Sequence, residues 1–218
     1  MSRPRLLDLF CGAGGAGMGY HQAGFDVVGV DINPQPHYPF EFIQADVMVD
    51  IPGIRWQSFD AIHASPPCQR YSAASNFHGN SDDHPNLIEP MRQLLHGVGR
   101  PFVIENVMGA PLRGQPIVLC GTQFGLRIVK HRQFETNWNL HPCDAPCDHS
   151  DVYDPWHGPG RGVAKHRLAQ DTPWIPMAGG ASRKRGVTGD VFNAIPPAYT
   201  RFIGAQLLAH LQSQRLAA

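Results

Sequence analysis

The sequence predicts a doubly wound α/β fold, in which a mostly parallel sheet of seven strands carries helices on both faces. Two observations predict this fold. Strand-like apolar runs alternate with helical segments along the first 137 residues, and a glycine-rich turn joins the first strand directly to the first helix. A chain of 218 residues is long enough for one such domain together with a small, loop-rich lobe.

The predicted elements follow in chain order. Residues 4–10 form a buried strand, a helix runs from the glycine turn to Gln22, and residues 26–32 form the second strand, so that this βαβ unit makes the two strands parallel. Later strands are predicted at 42–46, 60–66, 101–107, 117–121 and 132–137, and later helices at 86–98 and 197–211. Residues 138–187 are rich in proline and histidine and predict the lobe, and residues 188–218 return to the main domain.

Composition excludes two classes of protein. The 18 Lys and Arg residues balance the 18 Asp and Glu residues, so bulk positive charge cannot be the basis of nucleic-acid binding. A charged fraction of 17% with a hydrophobic fraction of 42% excludes a disordered chain. No apolar run reaches the length of a membrane span or of an export signal, so we expect a reducing, cytoplasmic location, no membrane partner and five free cysteines.

The glycine turn predicts a nucleoside site. Gly12 and Gly14 lie directly after a strand, where the chain must turn sharply and a ligand must approach the backbone closely. Asp31 ends the second strand 19 residues after Gly12, where an acid can bond both hydroxyls of a ribose. Asp8 and Asp46, at the ends of the first and third strands, suit a nucleoside with a cationic group. The alternative is that such turns and acids are common without a ligand.

Cys68 and Glu105 are predicted to face one pocket. Cys68 follows the fourth strand in Ser-Pro-Pro-Cys-Gln, where two prolines hold the thiol at a rigid corner. Glu105 ends the next strand, and neighbouring parallel strands deliver their ends to the same edge of a sheet. A thiol and a carboxyl there suit attack on an electron-poor ring whose nitrogen must be protonated. A core cysteine and a surface carboxylate are the alternatives.

These residues resemble the motifs of the DNA cytosine-5 methyltransferase family. The similar segments, in the family's order, are Asp8-Leu9-Phe10-Cys11-Gly12-Ala13-Gly14-Gly15, Pro67-Cys68-Gln69, Glu105-Asn106-Val107, Lys130-His131-Arg132 and Asn193-Ala194-Ile195-Pro196-Pro197. The fourth segment keeps the basic positions of the family's Gln-x-Arg-x-Arg motif without its glutamine. The resemblance implies the Rossmann-like fold of S-adenosylmethionine-dependent methyltransferases. It also implies that residues 1–137 form the catalytic and cofactor-binding domain, and that residues 138–187 form a reduced target-recognition lobe.

The resemblance implies methyl transfer from S-adenosylmethionine to C5 of a cytosine flipped out of double-stranded DNA. Cys68 is implied to attack C6, Glu105 to protonate N3 and Arg132 to hold the cytosine oxygen. The residues implied to bind the cofactor are Phe10, Gly12, Gly14, Asp31, Asp46 and Asn193. We expect a depressed pKa for the Cys68 thiol, with Arg132 as the cation, and a raised pKa for Glu105 because of burial.

The short lobe predicts a short recognition sequence, of about two to four base pairs, since each base needs its own reader. The enzyme is expected to act as a monomer, and the polar loop 69–86 is expected to close over the flipped base. The candidate phosphate contacts, for which a solvated basic surface is the alternative, are Arg161, Lys165, His166, Arg167, Arg183, Lys184 and Arg185.

Four residues of the lobe, His141, Cys143, Cys147 and His149, offer thiols and imidazoles that could hold zinc tetrahedrally. Their spacing matches no standard zinc finger, and all four would come from one short loop. Unliganded loop residues are therefore favoured, and no metal is predicted.

Three other functions stay open. One is a cytosine-5 methyltransferase of the transfer-RNA type, which a reduced lobe would permit on the same fold. A second keeps the chemistry of Cys68 and Glu105 but transfers a different group from a modified cofactor. The third is a non-catalytic nucleic-acid-binding module, against which the presence of Cys68, Glu105 and Arg132 argues.

Overall fold

The computed structural model describes residues 2–49, 51–71, 85–126, 128–150 and 193–217. The strands are β1 (Arg5–Leu9), β2 (Asp26–Asp31), β3 (Glu41–Gln44), β4 (Ala61–Ala64), β5 (Phe102–Asn106), β6 (Ile117–Leu119) and β7 (Arg132–Thr136). The α-helices among these residues are α1 (Gly15–Ala23), α2 (Ile88–Val98) and α3 (Pro197–Ala217). Each predicted strand and helix is present, and α3 runs beyond its predicted end at residue 211.

The strands form one seven-stranded sheet in the order β3-β2-β1-β4-β5-β7-β6. The first five strands of this order are parallel, and β7 lies antiparallel between β5 and β6. The mostly parallel, doubly wound sheet is thus confirmed. The chain order reverses at β1, which pairs with β2 on one side and β4 on the other. Open α/β sheets bind ligands at such a reversal, at the carboxyl ends of the strands.

Each face of the sheet is covered by its own hydrophobic cluster. On one face α1 and α3 supply Tyr20, Tyr199 and Ile203, all fully buried. On the other face α2 supplies Met91 and Leu95. Apolar residues recur along α2 at helical spacing, which gives it one stripe toward the sheet. Burying such side chains stabilises the fold by roughly 1.5–3 kcal/mol each, so helices on both faces are required to cover the sheet.

Glycines of α1 allow the C-terminal segment to pack against it. A Cβ atom on Gly19 would lie 2.1 Å from the carbonyl oxygen of Pro197, and one on Gly15 would lie 2.3 Å from that of Ile195. These glycines are four residues apart and so share one side of the helix. The hydroxyl of Thr200 donates a hydrogen bond of 2.8 Å to the carbonyl of Ala16. The packing holds the start of α3 beside the glycine turn.

Of the predicted lobe, only residues 138–150 are described, so its boundaries stay a prediction. Most of the predicted closing loop, residues 72–84, lies outside the described residues. The same holds for the predicted phosphate contacts Arg161, Lys165, His166, Arg167, Arg183, Lys184 and Arg185. None of the described helices combines the length and the apolarity needed to cross a bilayer.

Candidate active site

The turn after β1 has an unusual backbone. Gly12 and Gly14 have positive φ angles of 49° and 89°, and so does Phe10, at 57°. For Phe10 this left-handed conformation costs about 1–2 kcal/mol. A Cβ on Gly12 would meet no atom within 4 Å, whereas one on Gly14 would lie 2.8 Å from Cδ of Pro39. The surface over Gly12 is therefore open to a ligand, and Gly14 is needed for packing inside the protein.

Asp31 is fixed at the end of β2 by backbone amides. Gly12 donates to Oδ2 at 3.0 Å, and Asn33 donates to Oδ1 at 2.9 Å. Each carboxylate oxygen keeps a further lone pair for a hydroxyl group. Asp46 lies two residues beyond β3, is half-buried and accepts a hydrogen bond of 2.9 Å from the amide of Met48. Both acids therefore stand near the carboxyl ends of their strands, as predicted.

Asp8 is fully buried on the same strand as the turn. The hydroxyl of Tyr38 donates to Oδ2 at 3.2 Å, and Oδ1 has no hydrogen-bond partner among the described residues. Burial raises the pKa of Asp8 to about 7, against the effect of the Tyr38 hydrogen bond, and the charge of Asp31 adds to the rise. A cation beside this carboxyl would favour its ionised form.

Cys68 lies on a turn that Asn106 ties to β5. The side-chain amide of Asn106 donates to the carbonyl oxygen of Pro66 at 2.9 Å, and its own oxygen accepts from the amide of Val107. Cys68 is half-buried, and its carbonyl accepts a hydrogen bond of 2.9 Å from the amide of Tyr71. Because β4 and β5 are adjacent and parallel, the thiol turn and Glu105 meet at one edge of the sheet.

Glu105 is buried and faces Arg132. Nε of Arg132 lies 3.1 Å from Oε1 of Glu105, outside hydrogen-bond geometry, and Oε1 has no hydrogen-bond partner among the described residues. Nη1 of Arg132 donates to the carbonyl oxygen of His131 at 2.8 Å. The pair forms because Glu105 is opposite Phe134 in the β5–β7 ladder, so that Arg132 is its diagonal neighbour on the same face. The contact leaves an acidic oxygen able to bond a ligand.

The pKa of Glu105 agrees with the expectation, and the pKa of Cys68 does not. Burial raises the pKa of Glu105 above its ordinary range, as expected, while Arg132 and a hydrogen bond from Ser65 oppose the rise. The depressed pKa expected for the Cys68 thiol is wrong for this structure. Burial raises that pKa; Arg132 and Lys130 lower it in part, and the charge of Glu105 raises it further. The loss of hydration outweighs both cations.

A buried hydrogen-bond chain leads to Glu105, and sequence patterns gave no sign of it. The hydroxyl of Tyr20 lies 3.0 Å from Nδ1 of His63, and Nε2 of His63 lies 2.9 Å from Oγ of Ser65, which bonds Glu105. Burial lowers the pKa of His63 to about 3, so its ring is neutral and has one donor and one acceptor. Donation from Tyr20 to His63, and from His63 to Ser65, satisfies both ring nitrogens of His63 and leaves the Ser65 hydroxyl free to donate to Glu105.

Lys130 connects the site to the C-terminal segment. Its side chain is 2% exposed, and Nζ donates to the carbonyl oxygen of Ala194 at 2.6 Å. Burial, together with the charge of Arg132, holds the pKa of Lys130 well below its usual range. Asn193, which precedes Ala194, is exposed, and Ala194 packs against Gly15 at the glycine turn. The two basic positions of the Lys-His-Arg segment thus have different contacts.

The zinc candidates require a correction. Cys147 and His149 do come together, but His141 has its Nε2 3.3 Å from the side-chain amide of Asn139, and Cys143 packs against the core cluster of α1 and α3. The residues that lie near Cys147 and His149 are instead Cys120, which follows β6, and His131, which precedes β7. Long-range pairing of β6 with β7 brings these residues together.

Comparison with known proteins settles the family. A family model described as C-5 cytosine-specific DNA methylase matches residues 4–112, which is half of the chain. The chain belongs to this family. One curated relative is the Type II methyltransferase M.XorII from Xanthomonas oryzae pv. oryzae. It is 31% identical to this chain over 150 residues, which cover 62% of this chain and 31% of that protein. M.HgiGI from Herpetosiphon aurantiacus is 35% identical over 122 residues, which is 50% of this chain and 94% of that protein.

The methylase chain spans only 31% of M.XorII and 49% of M.AquIA, a Type II methyltransferase from Picosynechococcus. Two solved structures cover nearly its whole length. The Entamoeba histolytica methyltransferase EhMeth superposes with a TM-score of 0.58 at 11% identity, covering 98% of this chain and 99% of that one. The S. pombe Dnmt2 methyltransferase superposes with a TM-score of 0.57 at 12% identity, covering 96% of this chain and 99% of that one. At these identities the likeness establishes the fold.

Proposed function

We propose that this chain transfers a methyl group from S-adenosylmethionine to C5 of a cytosine flipped out of double-stranded DNA, through a covalent bond between Cys68 and C6. One observation carries the proposal. The adjacent parallel strands β4 and β5 bring a thiol on a braced turn to the same edge as the Glu105–Arg132 pair, and Oε1 of Glu105 has no hydrogen-bond partner among the described residues. Family membership supports it.

C5 of cytosine is a weak nucleophile, and covalent addition at C6 replaces one difficult step with two easier ones. The Cys68 thiolate forms the S–C6 bond, and the electrons of the C5–C6 double bond shift through the ring as the carboxyl of Glu105 gives its proton to N3. C5 is then an enamine carbon that would attack the donor's methyl group; the new bond to C5 would form as the sulfur–methyl bond breaks, and the donor would leave as a neutral thioether. A base, for which water suffices, removes the C5 proton. The C5–C6 double bond forms again as the S–C6 bond breaks, and N3 returns its proton to Glu105.

The raised pKa of Glu105 supports this proton transfer, because a buried carboxyl holds a proton that an exposed one would lose. Arg132 would donate to the cytosine carbonyl oxygen and, with Lys130, would stabilise the thiolate that burial disfavours. Asn106 would act by positioning the thiol turn, since it bonds the carbonyl of Pro66.

The cofactor fits the residues of the glycine turn. S-adenosylmethionine supplies an electrophilic methyl group. The open surface over Gly12 would hold its methionine part, the fixed carboxylate of Asp31 would bond the ribose, and Phe10 would stack on the adenine. Asp46 would lie near the adenine amino group, and Asn193 would close the pocket. The unpartnered oxygen of the buried Asp8 suits a nearby cationic group.

The test is methyl transfer by the full chain to duplex DNA, with transfer RNA offered in parallel. The labelled methyl group should enter duplex DNA, and duplex DNA containing 5-fluorocytosine should form a covalent complex that survives denaturation.

Cys68→Ser should lose the complex and lower the rate of methyl transfer by about 10⁴-fold or more, with cofactor affinity nearly unchanged. Cys143→Ser should keep both the complex and the rate. Label entering only transfer RNA would favour the RNA enzyme. If no label is transferred and no covalent complex forms, a non-catalytic binding module would be favoured. Sequencing the methylated DNA would give the length of the recognition site.

A further inference from the structure

Two thiols and two imidazoles form a cluster next to Arg132 that the proposed reaction does not use. Sγ of Cys120, Sγ of Cys147 and one ring nitrogen each of His131 and His149 all lie within 4.8 Å of one another. We propose that these four residues bind one zinc ion. Thiolate sulfur and imidazole nitrogen are the ligands that zinc prefers in structural sites. The proposal does not depend on which base or nucleic acid the chain acts on.

The distances match the edges of a zinc tetrahedron. Bonds of about 2.3 Å to sulfur and 2.0–2.1 Å to nitrogen place a sulfur and a nitrogen on one ion about 3.6 Å apart. Nε2 of His131 lies 3.4 Å from Sγ of Cys147, and Nε2 of His149 lies 3.5 Å from Sγ of Cys120. The third distance, from Cys147 to His149, is 2.9 Å and would lengthen slightly around an ion. Small side-chain adjustments would therefore complete the site.

The fold, rather than a local motif, assembles the ligands. Leu119 of β6 is opposite Arg132 of β7 in the antiparallel ladder, so Cys120 and His131 stand at the same end of this pair of strands. The segment that holds the other two ligands returns over this end. The side-chain amide of Gln123 fixes it there by donating to the carbonyl oxygen of Ala145 at 2.9 Å.

A hydroxyl is also placed to support the sulfurs. Oγ1 of Thr122 lies 3.4 Å from Sγ of Cys120 and 3.7 Å from Sγ of Cys147. Outer hydrogen bonds of this kind orient metal ligands and are common around zinc. One hydroxyl in contact with both sulfurs indicates that the two thiols are arranged as a pair.

Four protein ligands leave no open coordination position, so the zinc would be structural rather than catalytic. It would join the segment after β7 to the β6–β7 end of the sheet. It would also fix His131, whose carbonyl oxygen accepts a hydrogen bond from Arg132. The ion would thereby hold the start of the predicted lobe against the strand that presents Arg132 to Glu105.

The test uses the full chain without a histidine tag, purified under reducing conditions. Mass spectrometry of metals should give about one zinc per chain, retained after gel filtration. Cobalt added to chelator-treated protein should give the intense visible bands of tetrahedral thiolate coordination, and zinc should displace it. Cys147→Ser and His149→Asn should each weaken zinc binding at least about tenfold. The matched variants in the same loop, Cys143→Ser and His141→Asn, should bind as the parent does.

A parent chain that takes up no zinc and shows no tetrahedral cobalt spectrum would overturn the proposal whatever the variants do. Equal losses in the two pairs of variants would also overturn it, because the loop as a whole would then be responsible. A chain lighter by two hydrogens under the same reducing conditions, with no zinc, would assign the two sulfurs to a disulfide instead. Circular dichroism of each variant separates loss of zinc from loss of the fold.

Discussion

Strand β7 carries one member of each of two buried Arg–Glu pairs, and the pairs differ. Glu135 accepts two hydrogen bonds from Arg92, of 2.6 and 2.8 Å, and a third of 2.7 Å from the amide of Arg113. Arg132 makes a single 3.1 Å contact with Glu105, whose Oε1 has no hydrogen-bond partner in the described part of the chain. Positions 132 and 135 are three apart on the strand, so the pairs lie on opposite faces of the sheet.

The difference separates a pair that is satisfied within the protein from a pair that could bond a ligand. In the Arg92–Glu135 pair the charges satisfy each other, and Arg92 also donates to the carbonyl oxygen of Pro111, so nothing is left for a ligand. In the Glu105–Arg132 pair the geometry leaves an oxygen free at the edge where the thiol lies. Both pairs are buried and ion-paired, so the unfilled hydrogen-bonding capacity of Glu105 is the feature that supports it as the proposed acid.

The largest expected effect is on the rate of methyl transfer. Glu105→Gln should lower kcat by about 10²–10⁴-fold, because an amide cannot give a proton to N3. Glu135→Gln should leave kcat close to that of the parent at temperatures where the variant is folded. Rapid-quench measurement of a single turnover on duplex DNA checks both. The comparison fails if Glu135→Gln slows the chemical step as much as Glu105→Gln does.

The free energy of unfolding should fall more in Glu135→Gln than in Glu105→Gln, the opposite of the order expected for kcat. Glu135→Gln leaves the buried guanidinium of Arg92 with one charged partner fewer, and should lower the free energy of unfolding by about 3 kcal/mol. Glu105 binds its proton more tightly in the folded state than in the unfolded state, so its contribution to stability falls as pH rises from its ordinary pKa to the raised one. Glu105→Gln removes that loss and should not destabilise the chain at neutral pH. Urea unfolding of both variants measures this; a larger loss for Glu105→Gln would reverse the assignment.

The smallest expected effect is on the pH profile. The proposed reaction needs a thiolate and a protonated carboxyl, so Cys68 and Glu105 must hold one proton between them. The parent's kcat/KM should therefore fall once pH exceeds the raised pKa of Cys68, where neither group holds a proton. Glu105→Gln needs only the thiolate, so its kcat/KM should keep rising toward that pKa, by up to about tenfold per pH unit. Profiles that stay parallel above about pH 9 would contradict the shared proton.

Much of the fold follows from local patterns. Apolar runs broken by glycine and proline give the strands, and parallel neighbours carry Cys68 and Glu105 to one edge, as predicted from their positions after β4 and β5. The insertion of β7 between β5 and β6 has no such local sign, because strand order depends on long-range pairing. The contact of Arg132 with Glu105 depends on β7 lying next to β5, whereas the meeting of Cys120 with His131 depends on the pairing of β6 with β7.

The pKa of Cys68 and the roles of the glycines depend on the folded surroundings, which the sequence alone does not give. The pKa of Cys68 is set by burial against two cations, and residue types alone do not say which dominates. Gly15 belongs to the glycine-rich turn that predicts a ligand site, yet in the structure it serves, with Gly19, to admit the C-terminal segment against α1. The same residue type thus serves ligand access at Gly12 and helix packing at its neighbours.

That packing has a consequence for the newly made protein. The glycine turn follows directly after β1, but the surface beside it is completed by Ala194, Ile195 and α3, which come after all seven strands in the sequence. Strands β1 to β5 and the thiol turn are all synthesised before that surface exists. In a nascent chain the glycine turn and the thiol turn would therefore be present before the segment that completes the surface beside α1, so this part of the fold would form only after α3 is synthesised.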